Sequence, residues 1–327
     1  MFDYILIFIV GLIFLFFTKK IAIKFNILDR PNTAVKTHIK STPYLGGLGV
    51  ILTFYFGILI MHDIHFETKH YIELTAIFAL FILGLFDDIF NLSVLRRLFV
   101  ELTIAIVLIS VGDILIVTNN FYFDSIFTLI GIIFMINAMN ILDILDGLSS
   151  GITIIILLNF ILILLNYNNT TYITLSIIYI VSLLSFLVYN FNPASIFMGD
   201  SGSTVIGLFL AIVFINTYNE SKELTHNLAS IIALSIPIFE LIYVSILRVK
   251  KGKNPMHGSK DHFALRIKTM GYTVKETVIL SYMLTLLTLM VSYITFALND
   301  SKALVIFLVV VFSFVVFGYI LSKVKID

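Results

Sequence analysis

A helix needs about 20 predominantly apolar residues to cross a bilayer, somewhat fewer where its ends snorkel. This chain repeats such windows from end to end, at 2-18, 44-61, 70-86, 97-117, 125-142, 151-166, 172-189, 203-218, 227-246, 277-297 and 302-321. Backbone polar groups in hydrocarbon must be satisfied within the segment, and continuous apolar windows do this as helices. The expected fold is therefore an all-α polytopic membrane bundle of eleven transmembrane helices, or ten if the short 203-218 window does not span. Residues 1-327 form one integral membrane domain with no soluble module. The composition agrees: 59% hydrophobic and 13% charged residues, with a mean hydropathy of +1.06. With no cysteine, disulfides and thiolate-bound metals are excluded. A net charge of +1 offers no basic surface for a polyanion, so no nucleic-acid partner is expected.

The basic residues orient the bundle. Placing the N-terminus outside puts eighteen of the 21 lysines and arginines in inside connections, leaving Lys69, Lys222 and Lys302 outside. The start, Met1-Phe2-Asp3, lacks the basic n-region of a secretory signal, so the first window reads as a retained anchor. An odd number of spans then brings the C-terminus to the cytoplasm. The outside connections hold ordinary loop residues, whereas the inside ones at 19-43, 87-96, 142-150, 190-202 and 247-276 hold the residues that could do chemistry.

Asn137, Asn140, Asp143 and Asp146 recur every third residue in an apolar background, which on a helix makes one drifting polar row. Carboxylates at the end of an apolar span need a reason, since a charge at the bilayer centre costs about 2.5 to 3.5 kcal/mol on insertion scales. Solvated acids at a helix end would be the plainer account; a ligand row for a metal or polar substrate is the other. Asp87-Asp88 closes the third window on the same face. Asp200 opens the eighth, in Phe197-Met198-Gly199-Asp200-Ser201-Gly202-Ser203. A helix start attracts phosphate through its free N-H groups. A carboxylate beside it makes sense if Mg²⁺ lies between, because Mg²⁺ is usually held by one or two carboxylates plus substrate phosphates. The competing account is an Asp-Ser helix cap.

These motifs, in this order, resemble those of the polyprenyl-phosphate N-acetylhexosamine-1-phosphate transferases. That family includes the enzymes that start lipopolysaccharide O-antigen, enterobacterial common antigen and wall teichoic acid, and the phospho-MurNAc-pentapeptide translocase. Asp87-Asp88 matches its Asp-Asp motif. Asn140, Asp143, Asp146 and Gly147, led by Asn137, match its Asn-x-x-Asn-x-x-Asp-Gly-x-Asp-Gly motif. Asn190 to Ser203 is similar to its Asn-x-x-Pro-Ala...Phe-Met-Gly-Asp-x-Gly-Ser motif. Ile144 replaces a glycine, Arg97 stands where a lysine is usual, and His262 is all that remains of a histidine cluster that marks the translocase branch.

The resemblance implies transfer of a sugar 1-phosphate, with GlcNAc-1-phosphate expected, from a UDP-sugar to undecaprenyl or another polyprenyl phosphate at the cytoplasmic face of the cell membrane. UMP is released and Mg²⁺ is required, with Mn²⁺ as a substitute. It also implies roles. Asp200, with Asp143 and Asp146, would hold the metal, and Asp87 or Asp88 would deprotonate the lipid phosphate. Asn137, Asn140, Asn190 and Phe197 would line the nucleotide, joined by Arg97 and by Lys36 and His38 of the first inside loop. His257, His262 and Arg266 would lie over the sugar. A homodimer is left open. The translocase reaction is the alternative within the family. A secondary transporter is the alternative outside it, although transporters place their binding groups near the midplane rather than at one set of helix ends.

Overall fold

The computed structural model describes residues 2-29, 41-61, 64-221, 223-254 and 258-326. Thirteen α-helices are described: α1 (Phe2–Lys24), α2 (Gly46–Ile60), α3 (Thr68–Phe90), α4 (Val94–Ser110), α5 (Phe121–Leu142), α6 (Leu148–Leu164), α7 (Thr170–Asn190), α8 (Asp200–Asn219), α9 (Leu224–Ala233), α10 (Ser235–Lys250), α11 (Phe263–Thr269), α12 (Val274–Phe296) and α13 (Asp300–Ser322). The strands are the two-residue pair β1 (Leu28–Asp29) and β2 (Thr42–Pro43), antiparallel with Leu28 opposite Pro43.

Each expected window overlaps a helix, but α4 ends at Ser110, seven residues short of the window 97-117, and 227-246 is divided between α9 and α10, bent by 61° at Leu234. Among the described residues seven helices are long and apolar enough to cross a membrane, or eight with the bent pair, against the eleven or ten spans expected; α2, α3 and α4 fall short of that measure. The chain is a multi-pass membrane protein. The doubtful window 203-218 belongs to a full 20-residue helix.

Local sequence sets several helix starts. Asn120 accepts from the backbone N-H groups of Tyr122 and Phe123 to begin α5, and Asn299 accepts from Lys302 to begin α13. Thr273 and Glu276 close a reciprocal capping box on α12.

The core gathers around α8, which packs against α2, α3, α5 and α6. Tyr179 of α7 stacks on Phe209 of α8 at 4.3 Å between ring centroids, and Phe54 of α2 meets both rings edge-on. Such pairs add about 0.5 to 1.5 kcal/mol each beyond burial. Two glycines let the helices approach backbone to backbone. A β-carbon on Gly84 of α3 would lie 2.5 Å from Ser201 Cα, and one on Gly47 of α2 would lie 2.5 Å from the Gly202 nitrogen.

Away from these contacts, a second polar group ties α3 to α8. Lys69 pairs with buried Asp113 at 2.7 Å and donates to Asn216 at 2.9 Å, while Tyr172 donates to buried Glu73 at 2.6 Å. Burial of these acids follows from their partners, since an unpaired charge there would be far more costly.

Candidate active site

The C-terminal ends of α3, α5 and α7 meet the N-terminal ends of α4, α6 and α8. Near the end of α3, Asp87 is buried and accepts from the Leu92 backbone at 2.7 Å. Its other oxygen meets Arg97 Nη1 at 2.8 Å, and the same nitrogen reaches Asp200 Oδ2 at 3.2 Å. The second oxygen of Asp200 accepts from Asn140 Nδ2 at 2.9 Å, and that amide also donates to Ser203 Oγ at 3.1 Å. Side chains of α4 and α5 thus converge on the Asp200 carboxylate, and Asp87 of α3 joins them through Arg97.

Asp88 does something the sequence reading did not foresee. Its carboxylate accepts from the Asp200 and Ser201 backbone N-H groups at 2.7 and 3.1 Å. The start of α8, expected to offer free N-H groups to a phosphate, is capped by a side chain from α3. Helix starts favour negative charge, and here Asp88 supplies it. On the far side of Asp88, Tyr44 donates its hydroxyl to the Asp88 carbonyl. Burial, and then the carboxylates of Asp88, Asp29 and Asp200, hold the Tyr44 phenol above its ordinary pKa. The segment after β2 is sewn to the approach to Asp200: Phe197 donates to Pro43 O, Gly46 to Phe197 O and Gly47 to Met198 O, at 2.7 to 2.9 Å.

The polar row does not continue as one helix. α5 ends at Leu142, and the backbone leaves the helix at Asp143 (φ −79°, ψ 55°). Asn137 therefore faces Glu101 of α4, donating to it at 2.9 Å, and Asn140 faces Asp200. Asp143 accepts from Ser149 at 2.6 Å. Asp146 is carried to the next loop, where it accepts from Asn192 Nδ2 and the Ala194 backbone at 2.8 and 2.9 Å. Asn190 braces the same corner, accepting from Gly147 N and donating to Ile196 O.

Burial pushes the Asp143 carboxyl up to about 6; Ser149 works against this and Asp146 adds to it. A carboxyl whose folded pKa exceeds its unfolded value of about 3.9 is favoured by the fold only when protonated. Its contribution is therefore lost as pH rises from about 4 to about 6. With divalent ions chelated, Asp143→Asn is expected to melt higher than the parent at pH 7.5, the gap closing toward pH 4. A gap that does not change with pH would remove this role.

Among the described residues, no three His, Asp or Glu side chains are placed to hold one metal ion, so Asp143, Asp146 and Asp200 are not gathered into a single cage. The donors beside Asp200 still suit Mg²⁺. They are hard carboxylate oxygens, and this ion needs only one or two of them when phosphates complete its shell.

A cavity of about 300 Å³ lies between α5, α8 and the bent pair, lined almost wholly by apolar side chains, among them Phe127, Met135, Phe214, Leu234, Ile238 and Ile242. Met135 is five residues from Asn140, about 8 Å along a helix rising 1.5 Å per residue.

A family model described as Glycosyl transferase family 4 matches residues 71–218, the interval holding Asp87, Asp88, Asn140, Asp143, Asp146 and Asp200. A probable undecaprenyl-phosphate N-acetylglucosaminyl 1-phosphate transferase of Bacillus subtilis (strain 168) is 30% identical over 275 residues, covering 81% of this chain and 76% of the relative. The chain belongs to glycosyl transferase family 4. The undecaprenyl-phosphate alpha-N-acetylglucosaminyl 1-phosphate transferases of Escherichia coli (strain K12) and Yersinia pestis are 27% and 24% identical. They cover 85% and 98% of this chain, and 79% and 91% of their own lengths.

The other residues expected of this family 4 chain are placed unevenly. Lys36, His38 and His257 lie outside the described residues. Phe197 is half-buried and fixed through its backbone. His262 and Arg266 are buried in a bonded network rather than displayed on the loop. His262 Nδ1 meets Glu240 at 2.7 Å, and Glu240 also accepts from the Phe263 backbone at 3.2 Å. Arg266 pairs with Asp261 at 3.0 Å and donates to the carbonyls of Leu321 and Val324, stopping the end of α13. Burial alone would raise the Asp261 pKa, but Lys251, Ser259 and Arg266 more than offset it and hold the carboxyl below its ordinary value. Tyr44, Ser149 and Asn192 are not marked by the sequence: the partners of Tyr44 and Asn192 come from other segments and leave no local signal, while Ser149 meets Asp143 only because the chain turns between them.

Proposed function

We propose that the chain transfers GlcNAc-1-phosphate from UDP-GlcNAc to undecaprenyl or a similar polyprenyl phosphate, releasing UMP, at the cytoplasmic face of the cell membrane. The observation that carries this reading is the convergence of Asp87, Arg97, Asn140 and Asp200 at the ends of apolar helices. It gains support from relatives whose names specify N-acetylglucosaminyl 1-phosphate transfer to undecaprenyl phosphate. Starting a cell-envelope polysaccharide is the role that suits such a product.

In the proposed reaction a lipid phosphate oxygen bonds to the β-phosphorus of the nucleotide sugar while the bond to the α-phosphate oxygen breaks, and UMP leaves. Phosphoryl transfer is catalysed chiefly by positioning and electrostatic stabilisation. Asp200, with Asp87 beside it, would hold Mg²⁺, which would supply positive charge to offset that of the diphosphate. Arg97 supplies positive charge at the mouth of the site. Asn140 and Asp88 hold the Asp200 carboxylate and its backbone in position. The Asp146 corner, braced by Asn190 and Asn192, gives the nucleotide side a rigid wall. A phosphate monoester has a second pKa near 6, so the lipid phosphate is largely dianionic at neutral pH and in this reading attacks directly, without the deprotonation by Asp87 or Asp88 that the resemblance implies. The apolar cavity that begins near Met135 suits the prenyl chain, an apolar ligand whose phosphate would then sit beside Asn140.

The assay supplies purified protein and undecaprenyl phosphate with UDP-GlcNAc, UDP-GalNAc or UDP-MurNAc-pentapeptide, one at a time, and follows lipid product and UMP. UDP-GlcNAc is expected to turn over fastest. UDP-GalNAc should be separated only modestly, because epimers differ by one hydroxyl and an unpaired buried polar group costs about 1 to 3 kcal/mol. Turnover of the pentapeptide donor alone would move the chain to the translocase branch.

The proposed orientation has its own check, made easy by the absence of cysteine. A cysteine at exposed Lys302 is expected to react with an impermeant reagent added from outside, and one at exposed Lys325 only after the membrane is opened. The opposite pattern would invert the bundle and move the site to the outer face.

A further inference from the structure

Arg97 uses its guanidinium in an unusual way. An arginine facing a carboxylate commonly pairs through two parallel N-H···O bonds, and that fork is what distinguishes it from a point charge. Here a single nitrogen, Nη1, serves two carboxylates from different helices, Asp87 of α3 and Asp200 of α8. The rest of the head is engaged in none of the hydrogen bonds found among the described residues, and the side chain is 29% exposed. One positive atom between two carboxylate oxygens is the arrangement a small cation would adopt. Asp87 is almost fully buried and cannot hand its charge to water, so something must sit opposite it.

We propose that Arg97 is the resident counter-cation of the Asp87/Asp200 pair: it holds the two carboxylates together in the free protein, competes with a divalent ion for them, and is released toward the substrate's phosphates when that ion binds. The inference rests on the metal reading given above and adds to it an exchange of one cation for another. Two positive charges cannot share the same pair of oxygens without strong repulsion. The arginine that leaves is already at the mouth of the site, with its full fork of donors free for a phosphate. Its flexible chain starts in the first turn of α4, four residues after the turn from α3, so the exchange needs no helix to move.

The test measures Mn²⁺ binding to purified protein by the loss of the free-ion paramagnetic resonance signal, without nucleotide or lipid, alongside melting temperature with and without Mn²⁺. Arg97→Ala is expected to melt below the parent in chelator. It should also bind Mn²⁺ about tenfold more tightly and gain more melting temperature from it, because ligand stabilisation grows with affinity. Arg97→Gln should match it, and Arg97→Lys should fall between them and the parent; these two carry the comparison if the alanine variant does not fold. Asp200→Asn should abolish binding in either background. Equal or weaker Mn²⁺ affinity in the Ala and Gln variants would overturn the exchange and leave the metal site standing. Absence of Mn²⁺ binding in every protein, parent included, would remove both.

Discussion

Asp200→Asn is expected to lower turnover by about 10³-fold or more, the scale lost when a main electrostatic contact to a transferring phosphoryl group is removed. The substitution keeps the shape of the side chain and the α8 backbone N-H groups that Asp88 holds, so the bundle should remain folded. It deletes one negative charge where Arg97 and Asn140 converge. The measurement is UMP release across a Mg²⁺ titration, with melting temperature as the folding control. Near-normal release at saturating Mg²⁺ would remove Asp200 from the metal and from the reaction.

Gly84→Val should be nearly as damaging, although it touches no substrate. A β-carbon there would lie 2.5 Å from Ser201 Cα and 2.8 Å from the Asp200 carbonyl carbon, both backbone atoms that cannot turn aside. α3 and α8 must then separate, and Asp88 loses its grip on the first turn of α8. A misplacement of about 1 Å can cost 10²-fold in rate, and that loss is expected here, with a lowered melting temperature because overpacking costs about 1 to 3 kcal/mol. Gly84→Ala should do the same more weakly. A valine variant with unchanged turnover would show that the α3/α8 spacing does not matter to the reaction.

The helices were legible because a bilayer enforces a simple rule, and each apolar window has its counterpart in α1 to α10, α12 and α13. The bend at Leu234 was not, although Pro237 in the first turn of α10 is a residue that breaks helices, because the apolar window runs across it. At the site, residue type carried further than residue role. Asp87, Asn140 and Asp200 could be singled out, and they do converge. Asp88 stood beside Asp87 as an equal candidate, and only the position of α8 shows that it caps a helix 112 residues away. The three-residue spacing from Asn137 to Asp146 assumed a helix that stops at Leu142. The resemblance alone puts His262 and Arg266 over the sugar, and nothing in their own sequence marks them as interior. Glu240, on a helix and 22 residues away, holds His262 in the interior, and Asp261 with the end of α13 holds Arg266 there.

The enclosure of α8 has a consequence for how the chain is made. In its apolar window 83% of the residues are buried, against 11% for α13, so the helix that carries Asp200 meets almost no lipid. Of the helices that surround it, α2, α3, α5, α6 and α7 precede it in the chain, and α9 follows. When α8 leaves the ribosome most of its groove has been synthesised, Asp88 is ready to receive its first two N-H groups, and Asn140 is ready to meet its carboxylate. A circular permutant that delivered α8 first would present Asp200 to the translocon with neither. The natural order of synthesis is thus a means of bringing a carboxylate to the edge of the bilayer without ever leaving it there alone.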